Sequence, residues 1–123
     1  MTTILVVDDQ PITLRVLGLT LRNEGYDIVT AEDGLEALSR LDETPVDLVL
    51  LDIAMPRLDG ITLLRTLRAS ERHAALPVIM LTANGQDSVR KAALAAGADG
   101  FLTKPTSSRE LIETVGRFVY ACT

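Results

Sequence analysis

Short apolar runs alternate with amphipathic segments along the whole chain, and this alternation is the feature that most restricts its fold. The predicted strands cover residues 3–7, 27–31, 47–51, 77–81 and 100–103. The predicted helices cover residues 11–24, 34–43, 59–70, 87–96 and 107–121. Repeated strand–helix units build parallel sheets through right-handed crossovers. The sequence therefore predicts an α/β fold with a five-stranded parallel sheet and helices on both of its faces.

Chain length and composition restrict the class of protein. A chain of 123 residues has room for one core, so we expect a single domain over residues 1–123. The apolar runs are shorter than the roughly 18–20 residues of a membrane-spanning helix, so we expect no membrane span. The single cysteine, Cys122, cannot form an internal disulfide bond, which favours a cytoplasmic location. The net charge of −5 disfavours direct nucleic-acid binding, which depends on clustered Lys and Arg.

Four of the predicted strands are followed by polar residues that could bind a ligand through a carboxylate, a hydroxyl or an ammonium group. Asp8 and Asp9 follow the first strand, Asp52 follows the third, Thr82 the fourth and Lys104 the fifth. In open parallel sheets, ligands bind at the carboxyl ends of the strands, where the strand order reverses. The order 2-1-3-4-5 makes these four strands neighbours and leaves the second strand at the border. We therefore predict that order, with a functional site at this edge.

The acids at this edge predict a divalent cation. The adjacent carboxylates of Asp8 and Asp9 repel each other unless a cation lies between them. Mg²⁺ accepts carboxylates, waters and a phosphate oxygen in octahedral geometry, and Mn²⁺ is the alternative ion. The pair could instead cap the first helix, but a further strand-end acid, Asp52, favours the metal. A backbone carbonyl near Ala54 would face the metal as another ligand.

Asp52, Thr82 and Lys104 are the candidate groups for phosphoryl transfer. A carboxylate that attacks a phosphoryl group in line forms an acyl phosphate. Such a transfer needs positioning and charge neutralisation, which Mg²⁺ and a lysine provide. A hydroxyl and an ammonium group both donate to phosphoryl oxygens, and neither competes for the metal. Taken alone, each residue has an ordinary structural explanation, as a helix-entry acid, a strand-end threonine or a surface lysine.

Together these residues resemble the receiver domain of two-component response regulators, over essentially the whole chain. The matching segments are Asp8-Asp9, Asp52 with Met55-Pro56, Asp59-Gly60, Thr82-Ala83, Gly97-Ala98-Asp99-Gly100 and Lys104-Pro105. The resemblance implies a flavodoxin-like fold and a phosphoacceptor at Asp52. It implies that Asp9 and Asp52 bind the metal directly, that Asp8 acts mainly through water, and that the Ala54 carbonyl adds a ligand.

The resemblance also implies roles for the other strand-end residues. Lys104 would contact the phosphoryl group, beside a cis peptide at Pro105. Thr82 would be the hydroxyl that moves toward the phosphate, and Phe101 would be the switch aromatic. Chemotaxis regulators carry tyrosine at the position of Phe101, so an output that depends on a phenol is in question. Ala54 and Asn84 occupy positions that tune access of the attacking water, which affects the lifetime of the phosphoryl group.

The implied function is a signalling switch and not an enzyme, with self-catalysed phosphoryl uptake and slow autodephosphorylation. The donor would be a histidine kinase or a histidine phosphotransfer protein. Phosphorylation would remodel the face formed by helix 4, strand 5 and helix 5, where a downstream protein would bind. The resemblance is compatible with a monomer or with a phosphorylation-dependent dimer.

The first helix carries two apolar stripes. One consists of Leu14, Leu17 and Leu21, and the other, on roughly the opposite side, of Ile12, Val16 and Leu19. A helix packed on one sheet needs only one such stripe. Either the helix is buried on both sides, or the second stripe is exposed beside the acids and docks the helical bundle that carries the phosphohistidine donor.

Two other functions are weighed against the switch. A Mg²⁺-dependent phosphohydrolase with an aspartyl-phosphate intermediate usually has a general acid two residues past the nucleophile, where this chain has Ala54. Such enzymes also carry a cap that 123 residues barely allow. A flavin-binding electron carrier is disfavoured by the composition of two Tyr, two Phe and no Trp, and by acids that would repel the flavin phosphate.

Overall fold

The chain forms a five-stranded parallel sheet flanked by helices, in a computed structural model that describes residues 2–53, 59–82, 87–104 and 106–121. The strands are β1 (Thr3–Val7), β2 (Asp27–Ala31), β3 (Leu48–Asp52), β4 (Val78–Thr82) and β5 (Gly100–Thr103). The helices are α1 (Pro11–Arg22), α2 (Gly34–Glu43), α3 (Gly60–Ala69), α4 (Asp87–Ala95) and α5 (Ser108–Ala121). The strand order is β2-β1-β3-β4-β5. The predicted fold class and strand order are confirmed.

Two strands end one residue later than predicted, and this places functional side chains inside the sheet. Asp52 is the last residue of β3, and Thr82 is the last residue of β4. The Ile53 N–H donates to the Leu81 carbonyl at 3.0 Å, and the Lys104 N–H donates to the Thr82 carbonyl at 2.7 Å. The hydrogen-bonded ladder thus continues past each apolar run and holds the backbone of the site residues.

Apolar side chains form one core layer on each face of the sheet. The layer under α2, α3 and α4 includes Leu5, Val7, Val49, Leu51, Leu63, Leu64, Leu67 and Met80. The layer under α1 and α5 includes Ile4, Val6, Leu14, Leu17, Leu21, Leu81, Leu111 and Val115. Successive residues of each strand alternate between the layers, as the pleat requires. Each fully buried leucine or valine contributes roughly 1.5–3 kcal/mol, so the sheet forms a stiff base for its polar edges.

Helix α1 buries one of its two apolar stripes and leaves the other exposed. Leu14, Leu17 and Leu21 pack into the core. Ile12 is 78% exposed, Val16 54% and Leu19 52%. The second stripe is therefore exposed, and its role in docking a partner stays a prediction. The helix ends at Arg22, two residues earlier than predicted, and the chain turns into β2 through Gly25, whose φ is +95°.

A polar network fastens the amino ends of β4 and β5. The Arg68 guanidinium at the end of α3 donates through Nε and Nη2 to the Gly97 carbonyl at 3.0 and 2.8 Å. The same Nη2 donates to Asp99 Oδ2 at 2.7 Å, and Nη1 donates to the Leu76 carbonyl at 2.6 Å. Asp99 Oδ2 also accepts the Val78 N–H at 2.9 Å. We call Arg68, Gly97 and Asp99 the amino-edge cluster.

Candidate functional site

Three carboxylates converge at the carboxyl edge of the sheet. Ligand oxygens of Asp8, Asp9 and Asp52 all lie within 4.8 Å of one another. Asp8 is fully buried, Asp52 is 5% exposed, and Asp9 faces solvent. Buried carboxylates without a compensating cation are unfavourable, and oxygen ligands of this kind suit a hard divalent ion. The three acids therefore fit the predicted Mg²⁺ site.

The Lys104 ammonium lies among these acids. Its Nζ is 2.5 Å from Asp8 Oδ2 and 3.6 Å from Asp52 Oδ2, and its side chain is only 19% exposed. Among the residues that the structure describes, three carboxylates and one ammonium leave two negative charges unbalanced. An added dication would neutralise that excess. We call Asp8, Asp9, Asp52, Thr82 and Lys104 the carboxyl-edge cluster.

Parallel pairing brings Thr82 to the same place. Asp52 of β3 pairs with Leu81 of β4, so Thr82 follows directly beside it. Thr82 pairs in turn with Thr103 of β5, the residue before Lys104. Thr82 is 5% exposed and holds its backbone against Lys104 through the ladder bond described above. The strand register thus brings together the three candidate groups for phosphoryl transfer.

Local contacts fix the chain around these side chains. Asp8 Oδ1 accepts the Gln10 N–H at 2.9 Å, which orients the carboxylate in the turn before α1. Asp59 caps α3, because its side chain accepts the Thr62 N–H at 2.9 Å and the Thr62 hydroxyl at 3.0 Å. A Cβ on Gly60 would collide with the Asp52 carbonyl oxygen. The Asp59-Gly60 motif thus lets α3 begin directly against the end of β3.

Phe101 lies half-buried on β5, and sequence reasoning missed its neighbour. The Arg90 guanidinium on α4 lies 5.9 Å from the centroid of the Phe101 ring. The sequence places two adjacent basic residues, Arg90 and Lys91, on α4. Which of them covers Phe101 depends on how α4 is rotated over β5, and no short-range pattern records that rotation.

Three sequence predictions fall outside the described residues. They are the metal contact of the Ala54 carbonyl, the cis peptide at Pro105 and the effect of Asn84 on the attacking water.

A groove runs from the carboxyl-edge cluster along the exposed side of α1. Its volume is about 430 Å³. It is lined by Gln10, Ile12, Thr13, Val16, Leu17, Leu81, Lys104 and Thr106. Two residues of the exposed stripe, Ile12 and Val16, therefore line the same groove as Lys104. In the part of the chain that the structure describes, no helix is long and apolar enough to cross a membrane.

Two curated proteins similar to this chain are named as bacterial transcriptional regulators. The chain is 41% identical over 108 residues to the alkaline phosphatase synthesis transcriptional regulatory protein PhoP of Bacillus subtilis, covering 88% of this chain and 44% of that protein. It is 44% identical over 115 residues to the transcriptional regulatory protein CpxR homolog of Haemophilus influenzae, covering 94% of this chain and 49% of that protein. The chain thus spans about half the length of these relatives.

Two solved structures share the fold over nearly their full length. A putative response regulator from Chloroflexus aurantiacus matches with a TM-score of 0.93 and 35% identity, covering 97% of this chain and 98% of that one. The receiver domain of the sensor histidine kinase PA1611 from Pseudomonas aeruginosa matches with a TM-score of 0.89 and 34% identity, covering 97% and 98%. That structure has a magnesium ion coordinated in the active site cleft. The sequence profile of the response regulator receiver domain matches residues 4–116, and the chain belongs to this family of two-component signalling domains.

Proposed function

We propose that the chain acts as one receiver domain in which Asp52 accepts a phosphoryl group. The observation that carries this proposal is the position of Lys104, whose ammonium contacts Asp8 and lies 3.6 Å from Asp52 within a cluster of three acids. A phosphoryl group on Asp52 would find a cation on one side and metal ligands on the other. The match to the response regulator receiver domain supports the same assignment.

Asp8, Asp9 and Asp52 would hold Mg²⁺, and Mn²⁺ is the alternative ion. The distances among the three acids and their hard oxygen chemistry support this assignment. The magnesium ion of the Pseudomonas receiver structure supports it as well. When bound, the ion draws charge from the phosphoryl oxygens and makes the phosphorus open to attack. The Ala54 carbonyl completes the proposed ligand set.

The chain's own residues carry out the transfer. A carboxylate oxygen of Asp52 forms the new bond to phosphorus as the bond from phosphorus to the donor's imidazole nitrogen breaks. The electron pair of the broken bond stays with the imidazole. Lys104 neutralises oxygens of the incoming group, and the hydroxyl of Thr82 donates a hydrogen bond to one of them. Phe101 then moves inward with Thr82 and changes the α4–β5–α5 face, which favours the partner-binding state.

This chemistry is that of a switch. Receiver domains are signalling modules, and we propose that phosphoryl uptake here is self-catalysed and autodephosphorylation slow. A Mg²⁺-dependent phosphohydrolase is the second candidate, and steady turnover of a phosphomonoester would favour it. Ala54 offers no acid at the position such enzymes use. The single cysteine favours a cytoplasmic site of action.

The phosphoryl donor, a histidine kinase or histidine phosphotransfer protein, docks on α1. Ile12, Val16 and Leu19 expose apolar surface, and Ile12 and Val16 line the same groove as Lys104. A helix of the donor laid along this stripe would direct its phosphohistidine toward Asp52. The other exposed residues of α1 include Arg15 and Arg22, while the helix carries no acidic residue, which favours an acidic rim on the donor.

The output face is formed by α4, β5 and α5. A downstream protein binds to this face. The chain itself acts as a monomer or as a phosphorylation-dependent dimer. The relatives named as transcriptional regulators are about twice as long as this chain, so nothing in their names assigns a nucleic-acid contact to this domain.

Mass spectrometry after incubation with acetyl phosphate tests the proposal. We expect one added phosphoryl group on Asp52 with Mg²⁺, and none with EDTA. Asp52→Asn should remain unmodified, whereas Asp42→Asn, a change at an exposed acid of α2, should be modified like the parent. Modification of Asp52→Asn at the parent's rate would contradict the assignment.

A second arm of that experiment uses the phosphorylated cognate kinase as donor. Val16→Glu should slow transfer from the kinase and leave uptake from acetyl phosphate unchanged, because the small donor needs no docking surface. Normal transfer from the kinase would remove the exposed stripe from the proposed docking site.

A further inference from the structure

The contact between Arg90 and Phe101 is explained by neither the sheet nor the metal site. The Arg90 guanidinium lies 5.9 Å from the ring centroid, on an exposed helix, above a half-buried ring. A guanidinium within about 6 Å of an aromatic face is attracted by the ring quadrupole. Phe101 has no hydroxyl group and cannot form the hydrogen bond that a tyrosine would form at this position. The Arg90 guanidinium supplies an electrostatic contact in its place.

Phe101 shares one face of the sheet with Thr82. Met80 pairs with Phe101, and Thr82 pairs with Thr103. Residues two apart on a strand point to the same face, so Met80, Thr82 and Phe101 all point toward the α4 side. The side chain beneath Arg90 is therefore a diagonal neighbour of the hydroxyl that we assign to the phosphoryl group.

Small side chains anchor α4 to the sheet. Ala93 is fully buried and Ala96, just past the helix, is 8% exposed, whereas Leu94 is 48% exposed. An alanine buries far less apolar area than a leucine, and so contributes less to packing. When the helix packs weakly, a single additional contact contributes a larger fraction of the energy that holds α4 over β5. Loss of the Arg90–Phe101 contact should therefore change the position of the Phe101 ring.

We propose that Arg90 is a positioning residue that holds Phe101 in its half-buried position and thereby favours the unphosphorylated state. The inference rests on the proposed function, because it takes Thr82 and Phe101 as the groups that move inward. A cation–π contact at an exposed site shifts such an equilibrium by about two- to five-fold. By linkage, losing the contact should raise the affinity for a phosphoryl analogue by the same factor.

Titration with beryllofluoride and Mg²⁺ tests this inference. Arg90→Ala should bind beryllofluoride about two- to five-fold more tightly than the parent chain. The sign is diagnostic, because the loss of a positive charge would by itself weaken the binding of an anion. Lys91→Ala, which removes the same charge one residue further along α4, should show no gain. Arg90→Lys, which keeps a cation, should restore most of the parent's affinity.

Two further measurements assign the effect to the ring. The chain has two phenylalanines, so a ¹³C-phenylalanine label reports the Phe101 ring once Phe118→Leu has identified the other signal. Without beryllofluoride, Arg90→Ala should move the Phe101 signal toward its position in the saturated protein. In a Phe101→Leu background, Arg90→Ala should no longer change the affinity.

The outcomes separate the two proposals. An affinity of Arg90→Ala equal to the parent's, or an equal gain in Lys91→Ala, overturns the role of Arg90 and leaves the phosphoacceptor assignment intact. A parent chain that binds no beryllofluoride in the presence of Mg²⁺ overturns both.

Discussion

The sheet carries a polar cluster at each of its two edges, and the two clusters differ in how their charges are balanced. At the amino edge, one guanidinium donates to one carboxylate and to backbone carbonyls, so cation and anion match. At the carboxyl edge, the described residues include three carboxylates and one ammonium, which pairs with Asp8 and Asp52. Both clusters join neighbouring strands of the same sheet. The amino edge is arranged for stability, and the carboxyl edge has an excess of negative charge that a bound cation can neutralise.

One fold can contain both polar clusters because its apolar core does not depend on either of them. β3 and β4 are buried along their whole length, and the amino-edge cluster ties the beginnings of β4 and β5 to α3. An unfavourable concentration of like charge at one edge is then offset by burial and by satisfied hydrogen bonds elsewhere. This division predicts opposite effects for substitutions at the two edges.

The largest effect is expected from Arg68→Ala at the amino edge. The change removes hydrogen bonds to the part-buried Gly97 and Leu76 carbonyls, which lose this donor, and to the exposed carboxylate of Asp99, which keeps its bond from the Val78 N–H. Because hydrogen bonds to charged groups are worth more than neutral ones and water reaches part of this site, we expect a loss of about 2–3 kcal/mol in the free energy of unfolding. Urea denaturation in EDTA measures it.

Arg72→Ala is the matched control for that measurement. Arg72 pairs with Asp42 at 3.5 Å, and both side chains are mostly exposed. Exposed ion pairs contribute about 0–1 kcal/mol, so the control should unfold close to the parent. Equal losses in the two variants would mean that the amino-edge cluster has no special stabilising role.

Gly97→Ala is expected to have the next largest effect. Gly97 has φ +107°, a backbone conformation that side chains oppose, and its new Cβ would lie 3.0 Å from Cγ and Nε of Arg68. We expect a loss of about 1–2 kcal/mol from the backbone conformation alone, with a further loss from the displaced guanidinium. Chemical denaturation again measures the change.

Gly25→Ala separates the two contributions. Its φ is +95°, but nothing lies within 4 Å of the added Cβ. The difference between the two glycine variants therefore reports the collision with Arg68. No difference between them would show that the guanidinium moves aside without loss.

Much of the carboxyl edge could be predicted from sequence, and little of the amino edge. Asp8, Asp52, Thr82 and Lys104 each end an apolar run, so the strand pattern and parallel pairing alone bring them together. Arg68 reaches Gly97 across 29 residues of sequence, from a helix end to a turn.

The contact between Arg68 and Gly97 depends on how α3 is oriented and on the conformation of a long side chain. No short sequence pattern predicts either of these. The same reason explains why Arg90 was missed. It also explains why exposure of Ile12 had to be decided by the structure, since helical periodicity places a residue on one side of a helix but does not say what covers that side.

The smallest effect, and the one of opposite sign, is expected from Asp9→Asn at the carboxyl edge. The described ion pairs of Lys104 reach Asp8 and Asp52, so removing the Asp9 charge reduces repulsion without breaking them. In EDTA we expect a gain of about 0.5–1 kcal/mol in the free energy of unfolding. Asp27→Asn, the loss of one charge from an exposed position on β2, should give a smaller gain in the free energy of unfolding.

In saturating MgCl₂ the parent should be more stable than Asp9→Asn, because the parent binds the ion more tightly and is stabilised more by it. If Asp9→Asn is less stable than the parent in EDTA, the excess charge of the carboxyl edge is not a source of instability, and the contrast between the edges fails.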